Sequence, residues 1–407
     1  KQTKKQTKKQ TKKQTKKQTK KQTKKQTKKQ TKKQQSNYYY LVKSNNLDSK
    51  KLKKIFDKRG NIWEAFNEKL PQKKNPDFLY MDEKYIYDKS LWKYKPILKS
   101  GVDLSSDNYS ISDKKNLYNN LMKLNNKSIE KHLMKQLQLN LYDMFKGKDN
   151  IKKYKSLFNG GKIWILKPTY GSQGKGIKVI ENYNHFEKVI RKITNKNQYK
   201  WRNMNYKKYI KMRDIIKYKY NIEWILQEYI NNPLLVEGKK FHLRIFYLYD
   251  PNNKKYYINN IFPVYTAKLK YKKSNYNNKD IHDTHYTSTD KYYYFPNDFN
   301  KIIGKEKVTN IMKQIIEIFK AVSIVMKAKC YTESKNCFHL FGGDIMITDD
   351  YKVKLIEINE KPGMRFSNNN PQLLYDLFGN IVEKIVDKHF PPSIKVKELN
   401  NFIDVTP

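Results

Sequence analysis

Cysteine is nearly absent from this chain. Cys330 and Cys337 are its two cysteines in 407 residues, which excludes a disulfide scaffold and suits a reducing compartment. Long apolar runs are missing too. No stretch of about eighteen apolar residues occurs, so neither a transmembrane helix nor membrane insertion is expected. Acidic residues are missing from the first 34 positions, which repeat Lys-Gln-Thr-Lys and hold 17 lysines. The formal charge of +48 therefore leaves 48 − 17 = +31 on the other 407 − 34 = 373 residues. Tyrosine, by contrast, is abundant. With 33 Tyr and 14% aromatic residues, the chain cannot be disordered throughout, and its length gives room for about two or three subdomains.

Residues 1–35 read as a disordered polybasic tail. The repeat of four is close to the helical period, but it has no apolar face and its lysines repel one another. Such a tail attracts polyanions: nucleic acid, an acidic lipid surface or an acidic protein tail. An incidental repeat, drifting in a codon-biased genome rich in Lys, Asn, Ile and Tyr codons, accounts for it equally well.

Beyond the tail, Tyr38 to Val42 reads as a buried strand and Leu52, Ile55 and Phe56 as one helix face. Arg59 to Trp63 reads as turn and strand, and Phe78 to Tyr80 as a further strand. Leu117, Leu121, Leu124, Leu133, Leu137 and Leu141 lie near helical spacing and predict a helix-rich stretch over 113–146. Together these make a small mixed α/β domain over 36–150. Next come a strand ending in Lys167, a glycine-rich loop at Gly171 to Gly176 and a strand at Ile177 to Ile180. A basic stretch, Lys196 to Lys219, reads as a loop or an inserted helix. Glu223 to Ile230 and Phe241 to Tyr249 are strands, and the polar stretch Lys270 to Asn300 is loop. Residues 309–327 form a core helix, Phe341 to Ile358 a hairpin, and Gln372 to Phe390 a helix stopped by Pro391-Pro392.

The hairpin carries the sharpest chemical signal. With its turn at Asp350-Tyr351, residue i opposes residue 701 − i, and Asp344 faces Glu357. Strand side chains alternate with period two, so Glu357, Asn359 and Asp344 share a face. Two carboxylates so close repel unless a cation or shared proton intervenes. Three hard oxygen donors suit a Mg²⁺ that bridges nucleotide phosphates. A solvated face with the acids merely opposed is the alternative, and a slipped register would reverse the faces.

The glycine-rich loop can bring backbone N–H groups close to phosphates, although it matches neither a Walker loop nor a dinucleotide fingerprint. Lys167 adds a cation at the end of the preceding strand. Gln227, Glu228, Tyr229 and Ile230 offer edge backbone groups suited to an adenine. Lys240 and Arg244 lie four apart in an extended segment and project to one face, where Arg can hold a carboxylate or phosphate with two bonds. Zinc is not expected: His282 and His285 with His242, or Cys330 and Cys337 with His339, lack finger-like spacing. No nucleophile elbow is present.

In this order the segments resemble the tubulin–tyrosine-ligase-like family. They are Lys167-Pro168 with Ser172 to Ile177, Leu226 to Ile230 with Pro233-Leu234-Leu235, Gly238 to Arg244, and Phe341 to Asp344 with Leu355 to Asn359. Tyr40 to Val42, Lys58 to Trp63 and Lys114 to Tyr118 also look like the family's small leading domain, and the likeness covers roughly residues 38–390. It implies an ATP-grasp fold, of class α+β or α/β, with a small N-terminal mixed domain over 36–150. The ATP-grasp halves would then be 151–240 and 241–390, with a tail over 391–407.

The resemblance further implies an ATP-dependent carboxylate–amine ligase that adds Tyr, Glu or Gly through an acyl phosphate. Lys167 and Lys175 would hold phosphates, Gln227 to Ile230 would frame the adenine, and Lys240 and Thr284 would contact the nucleotide. Arg244 would stabilise the transferred phosphoryl and the acceptor carboxylate, while Asp344, Glu357 and Asn359 would bind Mg²⁺. The partners implied are a free amino acid and an acidic protein tail, tubulin foremost, in the cytoplasm and at the cytoskeleton or a cilium.

Four positions depart from the family's pattern. His242 replaces an acid in Lys240-Phe241-His242-Leu243-Arg244, Tyr265 stands where an Arg is usual, His285 replaces an Asn, and His339 replaces a Glu. These departures keep open a second reading, a degenerate protein that binds microtubules or other polyanions without catalysis. Charge alone motivates a nucleic-acid reading, and no RNA- or DNA-reading module is visible, so nucleic acid is not expected as a specific partner.

Overall fold

The computed structural model describes residues 37–44, 47–69, 74–81, 88–91, 93–102, 111–169, 176–202, 204, 222–284, 292–330, 336–360, 362–364 and 370–407. The repeat tail, Lys175 with loop residues 171–175, the basic segment at 205–221 and His285 lie outside them.

Four short strands open the fold: β1 (Asn37–Lys43), β2 (Ile62–Ala65), β3 (Phe78–Met81) and β4 (Leu98–Ser100). They run parallel in the spatial order β4-β3-β1-β2. Strands covered on both faces read as apolar runs, and all four residues of β3 are buried. Helix α1 (Ser49–Asp57) links β1 to β2 and starts where the Asp48 side chain accepts from the Lys51 N–H at 2.7 Å. Its buried face is Leu52, Ile55 and Phe56, with Phe56 stacked on Trp63 at 4.1 Å between centroids.

Helix α2 (Lys114–Met122) is capped in the same way by Asp113. The stretch 113–146, expected to be helix-rich, has further short helices at Lys127–Glu130 and Leu141–Phe145 but is broken between them. Residues Gln136–Asn140 are strand β5, paired residue by residue with β8 (Glu223–Glu228). The four-residue leucine spacing imitates a helix, but pairing with a distant strand decides the outcome. With β6 (Trp164–Pro168) and β7 (Lys178–Ile180) these strands build an antiparallel sheet in the order β5-β8-β6-β7. Helix α3 (Tyr183–Arg202) backs it and takes in the start of the basic stretch. Its Phe186, Ile190 and Trp201 pack with Trp164, Leu166, Ile180 and Leu226.

The remaining strands are β9 (Leu235–Val236), β10 (Lys239–Asp250), β11 (Lys255–Asn259), β12 (Phe262–Thr266), β13 (Tyr294–Phe295), β14 (Asn336–Ile347), β15 (Val353–Asn359) and β16 (Phe402–Asp404). They join the first four in one large sheet running β13-β12-β10-β14-β4-β3-β1-β2, with β15 also on β14. Strand β14 is the hinge of this arrangement. Its start, Asn336 to Phe338, pairs in parallel with β4, and its end pairs antiparallel with β10 and β15.

Alternation along β10 sorts its side chains. Phe241, Leu243, Ile245 and Tyr247 face helix α4 (Lys305–Val325), whose Ile311, Ile315, Ile318, Phe319 and Val322 fill one core. Phe246 and Leu248 face the other way, onto Leu374, Leu377 and Phe378 of helix α5 (Pro371–Ile381). On that second face, nearer the start of the strand, stand Lys240, His242 and Arg244, all buried.

Two expectations need correcting here. Cys330 and Cys337, read as suiting a reducing compartment, are joined by a disulfide, because the start of β14 brings their Cα atoms within 5.6 Å. The hairpin turn is not a two-residue turn at Asp350-Tyr351. Thr348 and Lys352 close a three-residue loop with Tyr351 at φ +60°. Among the described residues no helix is long and apolar enough to cross a membrane.

Candidate active site

The carboxylates meet across the hairpin for a reason the sequence does not display. From the turn upward the pairs are Ile347–Val353, Met346–Lys354 and Ile345–Leu355, each summing to 700. A bulge between Asp344 and Ile345 then inserts Ile356, and the pairs become Asp344–Glu357, Gly343–Ile358 and Gly342–Asn359. The bulge restores the register that the longer loop takes away. On the other side of β14, Asp344 lies opposite Arg244. Arg244, Asp344 and Glu357 therefore form a row across three adjacent strands.

Protein cations already neutralise that row. Arg244 Nε and Nη2 donate to the two oxygens of Asp344 at 2.6 and 3.2 Å, a paired geometry typical of strong Arg–carboxylate contacts. Burial works against the guanidinium charge, but Asp344, Tyr265 and Glu357 together outweigh it and raise the Arg244 pKa. Lys114 Nζ lies 3.1 Å from Glu357 Oε2. The Asn359 amide bridges the acids, 3.2 Å from an oxygen of each. Gly342 makes room for the guanidinium, since a Cβ there would stand 3.1 Å from Arg244 Cδ and 2.8 Å from Pro362 Cβ.

Facing this row from the smaller sheet is Lys167 at the end of β6. Its Nζ donates to Gln227 Oε1 at 2.9 Å, Gln227 Nε2 lies 3.3 Å from Gln136 Oε1, and Gln136 Nε2 lies 3.3 Å from the carbonyl of Lys114. Burial pulls the Lys167 ammonium down to about 8, partly offset by Glu357. Lys240, on β10, falls to about 7 through burial and the charge of Lys167. Two buried lysines held by neutral acceptors leave a cleft that favours an anion.

Lys167, Gln227, Glu228, Tyr229, Ile230, Lys240, Thr284, Asp344 and Glu357, all singled out by sequence, line this one cleft between the sheets. Arg244 and Asn359 stand behind it, bonded to its carboxylates. The N–H groups of Glu228 and Tyr229 are engaged by the carbonyls of Lys135 and Ile163, so they are not the edge donors that the sequence suggested. Thr284 Oγ1 lies 2.7 Å from His242 Nδ1. His242 stacks on Tyr265 at 5.2 Å, and the Arg244 guanidinium lies 5.7 Å from that ring. His339 Nε2 lies 2.7 Å from the Glu360 carbonyl.

Sequence reading gave Lys114, noted only as part of the leading domain, no place at the site, and it passed over Gln136. The available signal for Lys114 was its place directly after the Asp113 cap, which puts it in the first turn of a helix aimed at the carboxylates. Gln136 sat in the segment misread as helix.

The donor set suits Mg²⁺. It offers two carboxylates on one spot, with the Asn359 amide beside them donating through its nitrogen to both, and Mg²⁺ typically takes one or two carboxylates and fills its shell with phosphate and water. Among the described residues no three His, Cys, Asp or Glu side chains gather to hold a metal by themselves, so an ion here would depend on phosphate and water for the rest of its shell.

The fold is that of an ATP-grasp protein. The C-terminal domain of Pby1 from K. lactis, described as an ATP-grasp enzyme interacting with the mRNA decapping enzyme Dcp2, superposes with a TM-score of 0.57 at 18% identity, covering 91% of this chain and 99% of that one. The tubulin-tyrosine ligase family profile matches residues 102–397, and the chain belongs to that family. Its relatives include tubulin glycylase 3C of Tetrahymena thermophila, 23% identical over 58% of this chain and 21% of the relative. A probable tubulin polyglutamylase, ttll-9, of Caenorhabditis elegans is 23% identical over 54% of this chain and 51% of its own length. The inactive polyglycylase TTLL10 of Homo sapiens is 27% identical over 57% of this chain and 35% of its own length. The chain thus spans between a fifth and about half of these relatives.

Proposed function

We propose that the chain is an ATP-dependent ligase that joins the amine of a free amino acid, Tyr, Glu or Gly, to a carboxylate on an acidic protein tail, with tubulin as acceptor. The observation that carries this reading is the convergence of Lys167, Lys240, Asp344 and Glu357 in one cleft between two sheets, with Arg244 and Asn359 bonded to the carboxylates. Bound ATP would give its γ-phosphoryl group to the acceptor carboxylate and leave as ADP, the amino-acid amine would then displace phosphate from the acyl phosphate, and Mg²⁺ would supply charge neutralisation at the phosphates.

The chain's own part is positioning and charge neutralisation, the main needs of phosphoryl transfer. Asp344, Glu357 and Asn359 hold the metal. Lys167 and Lys240, and Lys175 in the glycine-rich loop, hold phosphates. Gln227 to Ile230 and Thr284 frame the nucleotide, and Arg244 meets the transferred phosphoryl and the acceptor. The +31 charge outside the repeat draws an acidic tail in. Such a protein acts in the cytoplasm, at the cytoskeleton or a cilium.

Radiolabelled Tyr, Glu and Gly, each supplied with Mg²⁺, ATP and tubulin, test the reading. The wild-type chain is expected to label tubulin only with ATP, and Glu357→Gln to abolish labelling. Full labelling by that variant would refute the metal role, and unlabelled tubulin would refute the acceptor. A second reading, a non-catalytic microtubule binder, is favoured by His242 and Tyr265, which fill the space beside Asp344 with an aromatic stack. Pelleting with microtubules without ATP turnover would select it.

A further inference from the structure

Lys240 is 3% exposed, and among the described residues no carboxylate is bonded to it. Its ammonium donates to the hydroxyl of Tyr229 at 2.8 Å and lies 4.0 Å from the centroid of that ring. The Tyr229 hydroxyl lies 2.9 Å from His282 Nδ1, and His282 Nε2 lies 3.2 Å from the Ser274 carbonyl. A carbonyl only accepts, so Nε2 carries the imidazole proton and Nδ1 is bare. Tyr229 must then donate to His282, which turns its oxygen lone pairs toward Lys240. Burial lowers the His282 pKa, in keeping with a neutral ring.

The chain is braced at its far end. Tyr276 stacks on the His282 ring at 5.0 Å and Tyr271 meets it edge-on at 5.5 Å. The hydroxyls of Tyr271 and Tyr276 donate to the carbonyl and side-chain oxygens of Asn231 at 2.9 and 2.8 Å.

We propose that Tyr229 and His282 are positioning residues for Lys240, an uncharged and directional hydrogen-bond chain that aims the ammonium into the cleft and leaves its charge for an anionic ligand. A carboxylate in the place of Tyr229 would neutralise the ammonium and compete with an incoming anion. A phenol supplies an acceptor and a π face without charge. The other groups that act on Lys240 are Lys167, whose charge repels it, and the ring of Tyr271, 5.9 Å away. The proposal rests on the reading above, in which Lys240 meets nucleotide phosphate.

Calorimetric titration of the full chain with Mg²⁺-ATP between pH 6 and 9 tests it. Tyr229→Phe keeps the ring and removes the acceptor. It is expected to weaken binding by about tenfold at neutral pH, the scale of one hydrogen bond to a charged group, and to move the loss of affinity to lower pH. His282→Ala is expected to act in the same direction, and His282→Asn, whose amide oxygen can accept near the Nδ1 position, to recover part of that loss. Thermal melts of each variant report folding, and a merely structural role would not move the pH profile. Wild-type affinity and pH profile in Tyr229→Phe, alongside weakened binding in Lys240→Ala, overturn the proposal and leave the nucleotide reading intact. Wild-type affinity in Lys240→Ala overturns both.

Discussion

Asp344→Asn removes one charge and almost no volume from the centre of the row. Its carboxylate takes two bonds from Arg244, at 2.6 and 3.2 Å, and the two side chains are 8% and 5% exposed. The guanidinium cannot shed its proton. Breaking such a buried pair from one side costs about 3–5 kcal/mol. The asparagine keeps one acceptor oxygen, which places the expected loss at the lower end, about 3 kcal/mol. The exposed pair Lys53–Asp57 is a control of similar length, 2.8 Å, with side chains 50% and 53% exposed. There Asp57→Asn is expected to cost less than about 0.5 kcal/mol. Urea unfolding of the wild type, Asp344→Asn, Arg244→Met and the double variant closes a double-mutant cycle. A coupling of about 2 kcal/mol or more is expected, since the arginine's penalty vanishes with the arginine. A loss within about 0.5 kcal/mol of the wild type, or no coupling, would refute the reasoning.

Gly343→Ala is expected to destabilise the fold by about 1–3 kcal/mol, because its Cβ would stand 2.5 Å from Phe319 Cζ in the packed core. Phe319→Leu in the same chain should restore part of that loss in a thermal melt. Stability and anion affinity are expected to run in opposite directions with pH. Lys240 and Lys167 titrate near about 7 and about 8 in the fold, and near about 10.4 when unfolded. Between these values the unfolded chain binds more protons, so these two groups make stability rise from pH 7 toward 10. Over pH 7 to 9 the same deprotonation removes the positive charge, so ATP affinity should fall. Urea midpoints and binding isotherms across that range check both signs.

Much of the fold was legible, since strands and helices announce themselves through period. The buried faces of α1, α4 and β10 follow directly from the spacing of Leu52, Ile55 and Phe56, of Ile311, Ile315 and Ile318, and of Phe241, Leu243 and Ile245. Pairing between distant strands left no such trace. Leu133, Leu137 and Leu141 satisfy a helical template, yet β5 forms because β8 hydrogen-bonds along it. The facing of Asp344 and Glu357 was found with a turn that does not exist, and a bulge at Ile356 made the conclusion true. Period-two alternation cannot reveal either feature, because a three-residue loop and a one-residue bulge cancel. Arg244 was seen as a ligand for anions but not as the partner of Asp344, a pairing that depends on how β10 and β14 align. The disulfide was likewise invisible, since spacing alone does not tell whether two cysteines will meet.

Strand β14 carries a consequence for anyone trimming this protein. A chain cut just before residue 101 would lose β4, the parallel neighbour of Asn336 to Phe338, and would bare a line of backbone donors and acceptors only six residues from Asp344. It would also strip Tyr40, Phe56, Trp63 and Phe78 from the apolar cluster they share with Phe338, Phe378 and Phe390. Exposed edges of this kind invite strand-to-strand aggregation. The leading unit is thus woven into the same fabric as the chemistry, and swapping it between relatives would mean re-stitching a sheet rather than exchanging a bead on a string.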